Sequence, residues 1–214
     1  MRRPMKMPTW TIGIPFALGM AVGVVILPAH AESDWVLNHC DQSLSTSATV
    51  TRTTARAYAL QGNGDGYDWG GGCWNGDGVD NTPNQNSDHN ENGEGPDCSG
   101  FTYKTWGLPY NYGTARRYWN RLYNHLPEAH GPYTANDFRL GTGAASPLPN
   151  KNYPTTTFMD AFASTTHIGM IYAEGSGGSD MIAEARDQQT GIVILPRGYR
   201  NNDLYDGTER EIWD

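Results

Sequence analysis

The chain has 214 residues, with 23 acidic and 15 basic side chains and a formal net charge of −8. This acidic balance argues against a nucleic-acid-binding protein, because such proteins neutralise phosphates with Lys and Arg. The length suits one ordinary domain with a core of its own.

The N-terminal segment predicts export. Arg2, Arg3 and Lys6 precede an apolar stretch at 10–27, and the Ala-His-Ala at 29–31 fits a small-x-small cleavage site. We therefore expect residues 1–31 to be a cleaved signal peptide; the alternative is an uncleaved anchor of barely spanning length. Cleavage would leave 183 residues with 23 acidic and 12 basic side chains, a net charge of −11. We expect a secreted or cell-wall-associated protein with no stable membrane insertion.

After an irregular arm at 32–47, the sequence predicts a helix from Thr49 to Gln61. Its apolar and aromatic residues recur at three- and four-residue spacing, and Gly62 stops it. The following segment, 62–72, is rich in glycine around Tyr67. Such a segment lets the backbone pass close to a ligand or to another strand.

An Asp/Asn-rich insertion follows at 73–96. Its central part, 75–94, is almost devoid of apolar residues and cannot fold on a core of its own. Asp-x-Asn-x-Asn-Gly at 88–93 follows the start of a calcium loop, but Ser99 stands where the bidentate Glu is expected. The run also resembles the calcium repeats of thrombospondin type. Two interpretations stay open, a solvated disordered insertion and a structural calcium site with ligands among Asp77, Asp80, Asp88, Asn90 and Asn92.

The stretch that follows the insertion carries a candidate nucleophile. Cys98 starts a segment that predicts a short helix, ended by Gly107 and Pro109. The unpaired N–H groups and the dipole at a helix N-terminus favour a thiolate, which is the reactive form. The alternative is a buried structural cysteine.

The second half of the chain predicts an aromatic-rich amphipathic helix and then a sheet. The helix falls within 110–126, and we interpret His125 and His130 as structural or solvent-facing residues rather than metal ligands. Residues 131–157 read as a long connection. Strands are predicted at Met159–Phe162, His167–Ala173, Met181–Ala185 and Ile192–Leu195, with an edge strand at Glu209–Trp213. Helices first and antiparallel strands later predict an α+β domain.

Four motifs resemble, in order, those of the NlpC-type cysteine peptidases, papain-like enzymes that cut bacterial cell-wall peptides. They are Tyr-Asp-Trp-Gly-Gly at 67–71, Asp-Cys-Ser-Gly-Phe at 97–101, His-Ile-Gly-Met-Ile-Tyr at 167–172 and Ile-Ala-Glu-Ala-Arg at 182–186. The resemblance covers about 48–214. It implies a papain-like α+β fold in which a nucleophile at a helix N-terminus faces a histidine on an antiparallel sheet. The 31 residues from Tyr67 to Cys98 depart from the family, because the insertion lies between these motifs.

The resemblance assigns the roles of the site residues. Cys98 would be the nucleophile, His167 the base and Glu184 the third catalytic residue, and Tyr67 would place its hydroxyl near the oxyanion. A register one residue earlier would instead put Ala183 where the family often has a histidine. Since Cys98 would be free, the other two cysteines, Cys40 and Cys73, would pair in the oxidising exported compartment.

The implied function is that of an exported, monomeric cysteine endopeptidase. It would hydrolyse amide bonds in peptidoglycan stem peptides and need no cofactor for catalysis. Two alternatives stay open: a related amidase or acyltransferase acting on another amide, and a non-enzymatic exported calcium-binding module.

Overall fold

A computed structural model describes residues 50–83, 93–108, 130–141 and 145–213. Within these ranges the fold is mixed α+β, as predicted. The helices are α1 (Arg52–Gln61), α2 (Cys98–Thr105) and α3 (Ala135–Leu140), with a short 3₁₀ helix at Tyr199–Asn201. The strands are β1 (Gly72–Cys73), β2 (Gly95–Pro96), β3 (Ala145–Pro147), β4 (Ala161–Ala163), β5 (Ile168–Ala173), β6 (Asp180–Asp187), β7 (Gly191–Arg197) and β8 (Asp206–Arg210).

The first predicted helix is confirmed, starting three residues later than expected. Thr51 caps α1 in a reciprocal capping box with Thr54, and Gly62 caps its C-terminus. The helix buries Ala55, Tyr58 and Ala59 in the core.

Six antiparallel strands form the main sheet, in the order β3-β8-β4-β5-β6-β7. Helix α2 packs on β5 and β6, and its Phe101 joins Met170, Ala183 and Ile192 in one buried core. This packing places the start of α2 next to the beginning of β5.

Two predictions for the C-terminal half are wrong. The last strand is Asp206–Arg210 rather than Glu209–Trp213, and it lies between β3 and β4 instead of at an edge. Its partner β3 falls in the segment 131–157 that we interpreted as a connection, so the pairing was not visible locally. The same segment contains α3, which begins at a capping box of Thr134 with Asp137 and ends at Gly141 with φ of 72°.

The base of the Asp/Asn-rich insertion is a two-residue ladder between β1 and β2. Gly72 pairs with Pro96 and Cys73 with Gly95, so the insertion leaves and rejoins the domain at adjacent points. This explains how the long insertion can separate Tyr67 from Cys98 in sequence without separating the two motifs in space.

Several predictions lie outside the described residues. These are the signal peptide at 1–31, the arm at 32–47, the helix within 110–126 and the candidate calcium ligands Asp88, Asn90 and Asn92. The disulfide between Cys40 and Cys73 stays a prediction, because Cys40 and the side chain of Cys73 also fall outside them. Among the residues that the structure describes, no helix is long and apolar enough to cross a membrane.

Candidate active site

Cys98 is the first residue of α2, as predicted, and only 8% of it is exposed. Asp97 caps the helix by accepting a hydrogen bond from the Gly100 N–H at 2.8 Å. Gly100 is required here, because a Cβ at this position would lie 2.3 Å from the Gly71 carbonyl oxygen. The glycine therefore lets the helix start approach the glycine-rich segment closely.

The glycine-rich segment is bonded to Asp97 itself. The Asp97 N–H donates to the Gly71 carbonyl at 3.1 Å, and the Gly70 N–H donates to Asp97 Oδ2 at 3.2 Å. These two bonds hold the Tyr67 segment against the N-terminus of α2, so the first two motifs form one unit.

A buried histidine, which the sequence reasoning left among structural residues, completes the surroundings of Asp97. His130 Nε2 lies 2.8 Å from Asp97 Oδ1, and its Nδ1 lies 2.8 Å from the Gly131 carbonyl oxygen. A carboxylate and a carbonyl can only accept, so these two contacts favour the imidazolium form of His130, while the Ser99 hydroxyl also lies 3.0 Å from Nε2. Burial opposes the charge on Asp97, but the His130 cation, the Gly100 N–H and the Ser99 hydroxyl together lower the pKa of Asp97.

The sulfur of Cys98 lies against the chain at His167. Its Sγ is 4.0 Å from the Thr166 carbonyl oxygen, and the Ile168 N–H is directed at the sulfur. Thr166 and Ile168 are the two neighbours of His167 in the chain. The structure thus places the predicted nucleophile beside the backbone groups that flank the predicted base.

Burial opposes ionisation of the Cys98 thiol. Burial raises the pKa of the Cys98 thiol above its usual value, and the Asp97 carboxylate raises it further. The N–H groups of Cys98, Ser99 and Ile168 lower that pKa, but they do not outweigh burial. Burial therefore works against the thiolate preference expected at this helix end, and a base would help to remove the proton.

His167 and Glu184 form a close pair. His167 Nε2 lies 2.7 Å from Glu184 Oε2, with the histidine side chain 19% exposed and the glutamate side chain fully buried. Because Glu184 occupies Nε2, the other ring nitrogen, Nδ1, is the one available to accept a proton.

Two further donors, which the sequence reasoning missed, hold the Glu184 carboxylate. Arg197 Nε donates to Oε1, and the Tyr199 hydroxyl donates to Oε2 at 2.7 Å. Burial opposes the charge on Glu184, but its bonds to His167, Tyr199 and Arg197 lower the pKa of Glu184. The sequence offered only a general indication of these donors. A buried carboxylate needs hydrogen-bond donors, and Arg-Gly-Tyr at 197–199, at the end of the neighbouring strand, contains two.

The register of β6 decides between the two residues that the sequence left open. Glu184 is the one that contacts His167, whereas Ala183 is buried in the main core opposite Met170 on β5. The two residues point to opposite faces of the strand, so only one of them can reach His167.

A cavity of about 130 Å³ opens beside the sulfur, lined by Tyr67, Trp69, Asp97, Cys98, Ser99, Thr134, Ala135, Thr165 and Thr166. Burial raises the pKa of Tyr67, and the nearby Asp97 carboxylate raises it further. Tyr67 therefore stays a phenol, and among the described residues its hydroxyl has no hydrogen-bond partner. It remains available to donate to a ligand in the cavity.

The described part of the insertion brings carboxylates together away from this cavity. Asp77, a predicted calcium ligand, lies with Asp65 and Glu94 so that one carboxylate oxygen from each falls within 4.8 Å of the others. Asp80, also predicted, acts electrostatically on both Asp65 and Glu94. Asp65 and Glu94 were missed, because they lie in separate segments outside the alternating Asp/Asn pattern.

Comparison with protein-family models, curated proteins and solved structures finds no match for this chain. The NlpC-type resemblance therefore depends on the four sequence motifs, and the function has to be argued from the residues of the site.

Proposed function

We propose that the protein is an exported cysteine peptidase that hydrolyses amide bonds in peptidoglycan stem peptides. One observation supports the reaction type. Cys98 Sγ lies between the backbone groups on either side of His167, and Glu184 contacts Nε2 of the His167 ring. The substrate class comes from the four motifs that resemble the NlpC-type peptidases.

The first half of the reaction would be acylation of Cys98. His167 Nδ1 accepts the thiol proton while the sulfur attacks the amide carbonyl carbon, forming a C–S bond. Such a transfer suits a cysteine whose pKa is raised, since the charge develops only as the bond forms. His167 then gives this proton to the leaving nitrogen, and the C–N bond breaks to leave a thioester.

The second half would be hydrolysis of that thioester. His167 removes a proton from water as the water oxygen attacks the carbonyl carbon, and the sulfur leaves and takes the proton back. Negative charge appears on the carbonyl oxygen in both halves. The Cys98 N–H at the start of α2 and the Tyr67 hydroxyl are the donors proposed to stabilise it.

Glu184 would act by stabilising the imidazolium that His167 becomes in each half. Its carboxylate is charged, fully buried and fixed by Arg197 and Tyr199, so it meets the developing cation without rearrangement. It also holds the proton of the resting imidazole on Nε2 and leaves Nδ1 free to act as the base.

The test is mass spectrometry of purified peptidoglycan after digestion by the wild-type protein and by Cys98→Ala. We expect fragments with new amino and carboxyl termini within the stem peptide from the wild type alone. Asp203→Asn, a change at an exposed carboxylate with no role in the site, should cut like the wild type. Cleavage of sugar bonds, or equal digestion by Cys98→Ala, would contradict the proposed function. Transfer of the acyl group to an added amine in place of water would indicate an acyltransferase using the same site.

A further inference from the structure

We propose that Asp65, Asp77 and Glu94 form a calcium site that ties the insertion to the segments leading into Tyr67 and Cys98. Asp65 precedes Tyr67 by two residues, and Glu94 precedes Cys98 by four residues through β2. Asp77 lies in the insertion between them. A cation bound by all three would cross-link three segments of the chain.

One member of this cluster, Glu94, has a buried oxygen without a hydrogen-bond partner among the described residues. Glu94 is fully buried, and its Oε2 accepts a hydrogen bond from the Asn81 N–H, but Oε1 is buried and accepts none from the residues that the structure describes. A buried carboxylate oxygen without a donor is costly unless a cation or a water binds it. The side chain faces two other carboxylates, so a cation is the partner that its surroundings favour.

The other two carboxylates are already held in place for binding. Asp65 is fully buried, and its two oxygens accept hydrogen bonds from the N–H groups of Gly76 and Gly78 at 2.7 Å. Asp77 is exposed and accepts two, from the Val79 N–H at 2.9 Å and from the Asn75 side-chain amide at 3.0 Å. Each carboxylate oxygen has a second lone pair, so these bonds leave room for a metal ion.

The described residues supply no positive charge to the cluster. None of the ion pairs formed by Lys, Arg or His in the described ranges involves Asp65, Asp77 or Glu94. Burial raises the pKa of Asp65 to about 6 and that of Glu94 to about 8, and repulsion from neighbouring aspartates adds to both. A divalent cation would supply the positive charge that the described surroundings of the cluster lack.

The chemistry and spacing of the oxygens fit calcium. The three side chains are hard oxygen donors, without the nitrogen or sulfur that transition metals prefer. Ligands on opposite sides of a calcium ion are about 4.6–5.2 Å apart, given bonds of about 2.3–2.6 Å. Oxygens that fall within 4.8 Å of one another can thus surround one such ion.

The experiment measures calcium binding by titration calorimetry and the melting temperature, on the full chain carrying Cys98→Ala. We expect one calcium ion to bind with a Kd of about 10⁻⁴–10⁻³ M, as in extracellular sites. Calcium at about 100 times Kd should raise the melting temperature by about 5–10 °C. Using the inactive variant separates this result from the proposed peptidase activity.

Three variants locate the ion. Glu94→Gln and Asp77→Asn should each weaken binding at least about tenfold, while Asp203→Asn, an exposed carboxylate elsewhere, should not. Without calcium at pH 9, where Glu94 is ionised, Glu94→Gln should melt higher than its parent, because it removes a repelling charge and keeps the acceptor for Asn81. With calcium the order should reverse. Asp77 is exposed, so Asp77→Asn should fold even if Glu94→Gln does not.

Two results would overturn the site. One is a melting temperature that calcium leaves unchanged. The other is calcium binding that Asp77→Asn and Glu94→Gln leave undiminished, which would place the ion elsewhere in the chain.

Discussion

Glu184 and Glu94 are both fully buried glutamates, but their surroundings are opposite. Glu184 receives hydrogen bonds from His167, Arg197 and Tyr199, and these lower its pKa despite burial. Glu94 has one backbone donor and repelling aspartates around it, and its pKa rises to about 8. A buried carboxylate whose donors come from the protein is ready to orient a catalytic histidine. One without such donors has room for a cation from solution.

The largest expected effect concerns the histidine that Glu184 holds. His167→Ala should lower the rate of stem-peptide hydrolysis by about 10⁴-fold or more, since nucleophile and base act as a unit. The melting temperature and its response to calcium should stay close to the wild type, because the ring is partly exposed. Hydrolysis rates and calorimetry on the same sample check both parts. A variant that keeps most of its activity would remove His167 from the mechanism.

A second carboxylate with a protein partner, Asp97, tests the same contrast through stability. His130→Phe leaves Asp97 buried without its cation and should lower the free energy of unfolding by about 3–5 kcal/mol. Adding Asp97→Asn should restore part of the loss, since Asn still caps a helix but carries no charge. Denaturant unfolding of the single and double variants measures the coupling, and additive effects would refute the ion pair.

The same pair predicts a direction with pH. The pKa of Asp97 lies below its ordinary value of 3.8 in the folded protein. Its contribution to stability is therefore complete above that value and is lost as the pH falls further, through the folded pKa. Asp97→Asn should flatten the fall in unfolding free energy between about pH 4 and pH 2. Equal slopes for variant and wild type would show that Asp97 is not stabilised as a carboxylate.

Glu184→Gln probes the carboxylate at the active site directly. Glutamine keeps the shape but cannot stabilise an imidazolium, so the hydrolysis rate should fall by about 10²–10³-fold. The variant should also be less stable, because Arg197 loses its charged partner, whereas Glu94→Gln should be more stable without calcium at pH 9. We therefore expect the two buried Glu→Gln changes to alter the free energy of unfolding in opposite directions. Equal signs would show that their surroundings do not differ as described.

The smallest effect is expected at Tyr67. Tyr67 lines the cavity, and its hydroxyl has no hydrogen-bond partner among the described residues, so Tyr67→Phe should leave folding unaffected. The hydrolysis rate should fall by about 10–10²-fold if the hydroxyl donates to the oxyanion. The measurement is kcat with a soluble stem peptide, and an unchanged kcat would limit Tyr67 to lining the cavity.

The sequence predicted the residues of the candidate site better than it predicted the residues that hold them in place. Cys98, His167 and Glu184 each stand in a short local motif, and the strand period separates Glu184 from Ala183 once the register is known. Arg197 and Tyr199 contribute through contacts across neighbouring strands, which local patterns do not reveal. Asp65 and Glu94 are 29 residues apart, and they meet only because β1 and β2 close the base of the insertion.

The fold was predictable at the level of class and of single elements. Residue spacing and stop residues located α1 and α2 to within a few residues. The position of β8 inside the sheet depends on pairing with β3, about 60 residues earlier in the chain. Such pairing is set by the packing of the whole domain, so the local pattern near the C-terminus suggested an edge strand instead.

The central claim is that Cys98 becomes acylated by the substrate. The direct measurement is the intact mass of the protein after acid quenching during turnover of a stem peptide, followed by peptide mapping. We expect a fraction of the wild-type protein to carry the acyl fragment of the peptide on Cys98, and Cys98→Ala to carry none and release no product. Product formation at the native rate by Cys98→Ala would contradict the account.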